Sequence, residues 1–232
     1  MWSGPRNIST ALMRSFENRK DTSVIDEPFY AYYLHKTKLK HPMYREIIDN
    51  YKTNTNEIIK DIKNMNESKI TLIKHMTHHI DDKFNLDWLK NTKNFFLIRH
   101  PELVINSYIK KNQLNNINDL GFKEQLRIFK FVQKFSNNDP VVVNSSSLLK
   151  NPEYILKKLC KNIGIKFSSN MLSWPKGKRI SDGIWSKVWY QNVINSSQFE
   201  KNNERKINLH NKYKKILDDC FNIYSKINKY SI

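Results

Sequence analysis

Apolar positions along the chain fall into two patterns. Short runs without alternation recur at Ser23-Val-Ile-Asp26, Ile70-Thr-Leu-Ile-Lys74, Asn94-Phe-Phe-Leu-Ile-Arg99 and Pro140-Val-Val-Val-Asn144. Each is β-branched or aromatic and ends in a polar or charged residue. Between them lie stretches with helical spacing. Leu12, Ser15 and Phe16 share a face after Ser9, and Ile155, Leu156, Leu159, Cys160 and Ile163 form another. The second is opened by Asn151-Pro-Glu153 and closed by Gly164, which places its caps. Residues 118–135 and 203–230 carry the same periodicity. Non-alternating strands separated by helices predict a parallel sheet covered on both faces, with ligands at the carboxyl ends of its strands. The polar strand ends (Asp26 and Glu27, Lys74 and His75, Arg99, Asn144) therefore converge on one edge, and that edge is the expected site. Residues 36–68 are helical in pattern but thin in apolar anchors, and read as a flap or lid. With no repeat and no Gly- or Pro-rich linker, one domain over 1–232 is expected.

The first ten residues carry the clearest candidate chemistry. Met1-Trp-Ser-Gly-Pro-Arg-Asn-Ile-Ser-Thr10 reads as a tight loop running into a helix. Gly4 and Pro5 punctuate the turn, Arg6 brings a permanent charge, and Ser9 and Thr10 supply hydroxyls where the helix begins. Unpaired N–H groups and the dipole at a helix N-terminus make such a loop a phosphate cradle. The pattern GxxxxGK[ST] is absent because no Lys precedes Ser9, so the charge falls to Arg6. A loop of this kind follows a strand, yet only Met1-Trp2-Ser3 precede Gly4. Either the recorded sequence starts late, the preferred reading, or the strand is abbreviated. A second anion site is expected at Arg99-His-Pro-Glu-Leu-Val-Ile-Asn-Ser107, where a guanidinium and a hydroxyl flank a helix start at Pro101.

Composition changes this picture little. The net charge of +18 suits an anionic partner. Lys and Asn are nevertheless spread throughout, and stretches such as Lys110-Lys-Asn-Gln-Leu-Asn-Asn116 read as drift on solvated faces. No basic arm, RNP, zinc-finger or basic-zipper pattern points to nucleic acid. Nothing resembles a signal peptide and no apolar run is long enough to cross a membrane, so a cytoplasmic location is expected. Cys160 and Cys220 read as buried, reduced thiols. The run His75-Met-Thr-His-His79 lacks a fourth ligand, so no metal is expected. Phe29, Tyr30, Tyr32 and Tyr33 read as an apolar helix face.

Two anion sites on adjacent loops suit a ligand with phosphates at both ends, and here the chain resembles the sulfotransferase family. Its donor is 3′-phosphoadenosine 5′-phosphosulfate (PAPS). Pro5-Arg-Asn-Ile-Ser-Thr10 is similar to the family's PKSGTT-like loop, which holds the 5′-phosphosulfate. Arg99 to Ser107 has the R-x₇-S spacing of the segment that holds the 3′-phosphate. Val143 to Pro152, Leu172 to Arg179 and Asp182 to Tyr190 are similar to segments of a bacterial sulfotransferase-like branch. The resemblance implies an α/β fold of P-loop nucleoside-triphosphate-hydrolase-like architecture, a three-layer parallel β-sheet flanked by helices with its first strand truncated. It implies transfer of a sulfuryl group from PAPS to a hydroxyl or amine of a small acceptor, without a metal. Donor binding would fall to Pro5, Arg6, Asn7, Ile8, Ser9, Thr10, Arg99 and Ser107. A basic loop containing Gly and Trp would close with Lys178 and Arg179. Arg6 would also meet the charge of the leaving group. The base is either Glu27, after the second strand, or a His after the third; Met76 stands at the family's His position, so His79 or His78 would substitute.

Ile8 stands where that loop has Gly, and Asn7 where it has Ser. A left-handed backbone there would disfavour Ile, so either a different turn or a weaker or altered donor preference is expected. Two other readings remain. A P-loop kinase-like phosphotransferase predicts a Lys before Ser9 and an acidic strand end such as Asp26 for Mg²⁺. A non-catalytic nucleotide or polyanion binder would account for the charge and for Ile8. Acceptor identity and oligomeric state are not legible.

Overall fold

The computed structural model describes residues 1–65, 69–200 and 207–232. Five strands, β1 (Trp2–Ser3), β2 (Thr22–Asp26), β3 (Ile70–Met76), β4 (Phe95–Ile98) and β5 (Val141–Asn144), form one parallel sheet in the order β2-β3-β1-β4-β5. The four apolar runs are all strands. The reason they lack alternation is visible in β4. Phe95 and Leu97 enter one core with α1 (Ser9–Glu17), through Leu12, Met13 and Phe16. Phe96 and Ile98 enter the other, with α5 (Pro101–Tyr108), through Val104 and Ile105. A strand buried on both faces has no polar side to show.

β1 sits at the centre of the sheet with only two residues. Side chains reinforce its short ladder. The Trp2 indole N–H donates to Asn94 Oδ1 (3.0 Å), and its ring stacks on His75 at 4.2 Å. The Gln125 amide donates to the carbonyls of Trp2 (3.3 Å) and Leu97 (3.0 Å), bridging β1 and β4. His75 is thereby a core residue, stacked between Trp2 and Phe29.

Residues 36–68 do not form a separate flap among the described residues. After α2 (Tyr30–Thr37), α3 (Tyr44–Asn50) buries Ile47 and α4 (Thr55–Asn64) buries Ile58. Tyr51 accepts a hydrogen bond from the Ile184 amide at 3.2 Å and packs its ring on Trp185. The anchors are few, but they are seated; residues 66–68 lie outside the described residues.

The continuous helix expected over 118–135 is interrupted. A 3₁₀ turn at Ile117–Leu120 ends at Gly121, whose φ is 67°, and α6 runs over Phe122–Phe135. The turn is pinned where Thr77 Oγ1 donates to the Gly121 carbonyl (2.8 Å). A Cβ there would lie 2.6 Å from Thr77 Oγ1. Gly121→Ala is therefore expected to cost about 2–4 kcal/mol, from left-handed strain plus overpacking. Denaturant unfolding reads this directly, and a loss below about 0.5 kcal/mol would mean that the turn rearranges freely.

Beyond β5, α7 (Ser145–Lys150) leads into α8 (Pro152–Ile163), which has the predicted limits. Asn151 Oδ1 accepts from the Tyr154 amide, and Gly164 closes the helix at φ 77°. Two short helices, α9 (Ser186–Trp189) and α10 (Gln191–Ile194), carry the distal segment. The helix expected over 203–230 is α11 (Lys214–Asn228), and residues 201–206 lie outside the described residues. Cys160 and Cys220 are buried free thiols, and burial pushes the Cys220 thiol up to about 12.

Candidate active site

A cleft of about 840 Å³ opens at the carboxyl ends of the strands. Its floor begins with the loop between β1 and α1. Arg6 (φ 64°) and Ile8 (φ 62°) are both left-handed. The expectation of a different turn is thus corrected: Ile8 adopts the conformation that glycine takes freely. The steric penalty is about 1–2 kcal/mol per residue, so neighbouring contacts must hold the loop in place. Arg99 Nη1 donates to the Arg6 carbonyl at 2.9 Å. Asn7 turns inward, its Nδ2 on the Leu97 carbonyl (3.3 Å) and its own carbonyl accepting from Ser145 Oγ (3.0 Å). Strain of this kind collects where a backbone must be presented to a ligand. No side chain caps α1, so its first-turn N–H groups remain available beside Ser9 and Thr10. Pro5, Arg6, Ile8, Ser9 and Thr10 line the cleft.

Arg6 reaches across to the second predicted anion site. Its Nε donates to Ser107 Oγ at 2.9 Å, while Arg99 lies beneath the loop. Among the described residues neither guanidinium has a carboxylate partner. Burial lowers the pKa of both, and the charge of Arg6 lowers that of Arg99 further, yet a guanidinium stays protonated in a protein. Two unneutralised, largely buried cations and a hydroxyl therefore face one end of the cleft. Lys110 and Lys111 line the same end. Their stretch, read from the sequence as compositional drift, supplies two cations to the site.

The distal block is arranged differently from the expectation. Lys178 and Arg179 are not among the cleft-lining residues. Arg179 donates to the Pro175 carbonyl at 2.6 Å and lies 3.8 Å from Glu17. The reason is a buried anchor on α1: Arg14 Nη2 meets Asp182 Oδ1 at 2.5 Å and Oδ2 at 2.7 Å. This holds the basic stretch at the far end of the helix and sends Trp189 and Tyr190 into the cleft instead.

At the other end of the cleft lies a buried charge cluster. Lys74 Nζ, on β3, is 2.7 Å from Asp26 Oδ1 and 2.8 Å from Glu27 Oε1, and also donates to the Tyr190 hydroxyl. Its next neighbour is Thr10 Oγ1 at 3.4 Å, which links the cluster to the start of α1. Burial opposes the Lys74 charge, but the two carboxylates together outweigh it and raise its pKa. Glu27, at φ 44°, faces the cleft. Burial raises its pKa, with Lys74 opposing and Asp26 reinforcing. A carboxyl shifted upward in a cleft is suited to proton transfer near neutrality.

His79 also lines the cleft, but it is 3% exposed, with its ring stacked on Tyr30 (4.7 Å) and Tyr33 (4.9 Å). Burial holds its pKa well below the usual histidine range, and it brings that of His78 to about 3. Both imidazoles are neutral and weakly basic. Among the described residues no cluster of His, Cys, Asp and Glu is arranged to hold a metal ion. None of their helices is long and apolar enough to cross a membrane.

Sequence reasoning missed two members of this site. Lys74 was visible only as a charged strand end, although a lysine on a doubly buried strand must have a partner. Tyr190 had no local signal, because its partner Asp26 is 164 positions away.

The chain is similar to known proteins over nearly its whole length. The profile of the "Sulfotransferase domain" family matches residues 1–226. Two curated relatives come from Arabidopsis thaliana. "Branched-chain-amino-acid aminotransferase-like protein 1" is 32% identical over 85% of this chain and 36% of its own length. "Branched-chain-amino-acid aminotransferase-like protein 2" is 28% identical over 97% of this chain and 40% of its own. The chain thus spans less than half the length of these relatives. Among solved structures, the sulfotransferase domain from the Synechococcus PCC 7002 olefin synthase superposes with TM-score 0.66 at 16% identity, covering 97% of this chain and 92% of that one. The sulfotransferase domain from the curacin biosynthetic pathway gives 0.55 at 15% identity, covering 98% and 95%. These two establish the fold. With the profile spanning nearly every residue, the chain belongs to the sulfotransferase domain family.

Proposed function

We propose that the chain is a single sulfotransferase domain that moves a sulfuryl group from PAPS to a hydroxyl or amine of a small acceptor. The observation that carries this reading is the pair of unneutralised guanidiniums in one cleft beside the start of α1, Arg6 bonded to Ser107 and Arg99 to the Arg6 carbonyl. An anion at each end of a nucleotide donor is what such a cleft needs to balance its charge. Arg99, Ser107 and the two lysines after α5 receive the 3′-phosphate. The loop amides, Ser9 and Thr10 receive the 5′ end, with Arg6 between the two. Sulfuryl transfer asks mainly for positioning and for stabilisation of charge on the equatorial and leaving oxygens. Glu27 takes the acceptor proton, its upward shift supporting this role over the weakly basic His79.

Asp26 is the acid that a Mg²⁺-dependent phosphotransferase would require. Both its oxygens are engaged, by Lys74, Tyr190 and the Gly183 amide, which counts against that reading. The buried free thiols suit the reducing compartment expected for a cytoplasmic protein.

Isothermal titration with adenosine 3′,5′-bisphosphate tests the donor site. Binding should be tight and should exceed that of ATP–Mg²⁺, whereas an ATP preference would overturn the assignment. Arg6→Ala keeps the Arg99 bond to the loop carbonyl and removes one charged donor. It is expected to weaken the bisphosphate by roughly 1.5–3 kcal/mol, about ten- to a hundredfold. Unchanged affinity would remove Arg6 from the site.

A further inference from the structure

The distal segment does more than roof the cleft. Tyr190 leaves the end of α9 and inserts its hydroxyl among the charges beneath the phosphate loop. The oxygen lies 2.8 Å from Asp26 Oδ1, 2.7 Å from Asp26 Oδ2 and 3.2 Å from Glu27 Oε1, and it accepts from Lys74. The Trp185 indole N–H also approaches it at 3.2 Å. The same segment holds Asp26 from a second side, through the Gly183 amide at 3.2 Å. Gly183 is also packed against Trp185, where a Cβ would lie 2.1 Å from the indole ring. A phenol oxygen carries one proton and two lone pairs. Here it donates a hydrogen bond to the carboxylates and accepts one from the ammonium, so a single hydroxyl joins all three charges. The ring lies 4.6 Å from Lys74 Nζ, adding a cation–π contact.

We propose that Tyr190 is a positioning residue for the base: its hydroxyl clamps Asp26 and Lys74 against Glu27 and so holds Glu27 in place for proton transfer. The inference rests on the reading of Glu27 as the base. Sealed in, Glu27 faces Asp26 on its own strand end, Lys74 on β3, Tyr190 from the distal segment and Tyr30 on α2, with His79 beyond Lys74.

Carbon-13 NMR of protein labelled at the glutamate side-chain carboxyls tests this without any acceptor. The Glu27 signal is assigned by its loss in Glu27→Gln. Tyr190→Phe keeps the ring and removes the hydroxyl. The Glu27 midpoint should move to higher pH, since a hydrogen bond favouring the carboxylate is gone. Asp26→Asn removes the adjacent negative charge and should move it to lower pH. Opposite displacements support the clamp. An unmoved midpoint in Tyr190→Phe, or displacement in the same direction in both variants, overturns it. If Asp26→Asn does not fold, Tyr190→Phe decides alone. The titration reads the hold of Tyr190 on Glu27 whether or not sulfuryl transfer occurs. Failure to bind adenosine 3′,5′-bisphosphate would sink the sulfotransferase reading and leave this result standing.

Discussion

Glu27→Gln is expected to lower turnover by roughly 10²–10⁴-fold, the usual contribution of a positioned acid–base group. Its affinity for adenosine 3′,5′-bisphosphate should remain close to that of the unaltered protein. The amide nearly matches the carboxylate in size but cannot accept the acceptor proton. It also leaves Lys74 with Asp26 and Tyr190, so the buried ammonium stays paired. A loss confined to kcat, with donor binding intact, is the signature of an interaction made in the transition state. The pH profile gives an independent reading. Glu27 must be ionised to act as a base, and burial raises its pKa above the ordinary carboxylate range. Activity should therefore fall as pH drops through that raised value, higher than an exposed glutamate would give. The acidic limb should disappear with Glu27. His79→Gln should move no limb near neutrality, because His79 is already uncharged there. A limb that persists in Glu27→Gln and vanishes in His79→Gln would reverse the assignment.

Asp182→Ala is expected to destabilise the fold by about 3–5 kcal/mol, the cost of leaving one member of a buried ion pair alone. Arg14 is only 1% exposed, and Asp182 engages it with both oxygens. Its remaining charged contact would be Glu17 at 3.0 Å, while its Nε has no partner among the described residues. In a chain of this size that loss lowers the thermal midpoint by roughly 6–20 °C. Circular dichroism during heating measures it. The double variant Arg14→Met/Asp182→Leu should lose less, since no charge is then stranded. Equal losses in the two would show that packing, not charge, sets the effect. Because Asp182 seats the segment that carries Tyr190, Asp182→Ala should also depress turnover beyond what its stability loss explains.

Particular residues show how far the sequence alone reached. The four strands after β1 were legible because each is a short unbroken apolar run, which β4 needs because it is buried on both faces. The caps of α8 were legible because Asn151, Pro152 and Gly164 each have a local backbone reason to stand there. Gly121 was misread as part of a helix, because the contact with Thr77 that forbids a side chain comes from another element. Lys110 and Lys111 were discounted for a similar reason. Nothing in a Lys- and Asn-rich stretch tells a solvated lysine from one at the rim of a cleft.

The loop between β1 and α1, the proposed phosphate cradle, marks the boundary most sharply. Its location and its charge, and the second anion segment from Arg99 to Ser107, follow from local order: a turn, a helix start, and a guanidinium at a strand end. These are effects within a few residues, and a sequence displays them directly. The left-handed backbone at Ile8 could not be read there, because intrinsic preference argues against it. Distant residues hold the two positions before it, Arg99 through the Arg6 carbonyl, Leu97 through the Asn7 side chain and Ser145 through the Asn7 carbonyl. The same holds for the cluster of Asp26, Glu27, Lys74 and Tyr190. Each charge is tolerable only in the presence of the others, and only the folded chain brings them within hydrogen-bond reach. Local chemistry thus placed the proposed donor site, while long-range burial decided which carboxylate is the proposed base.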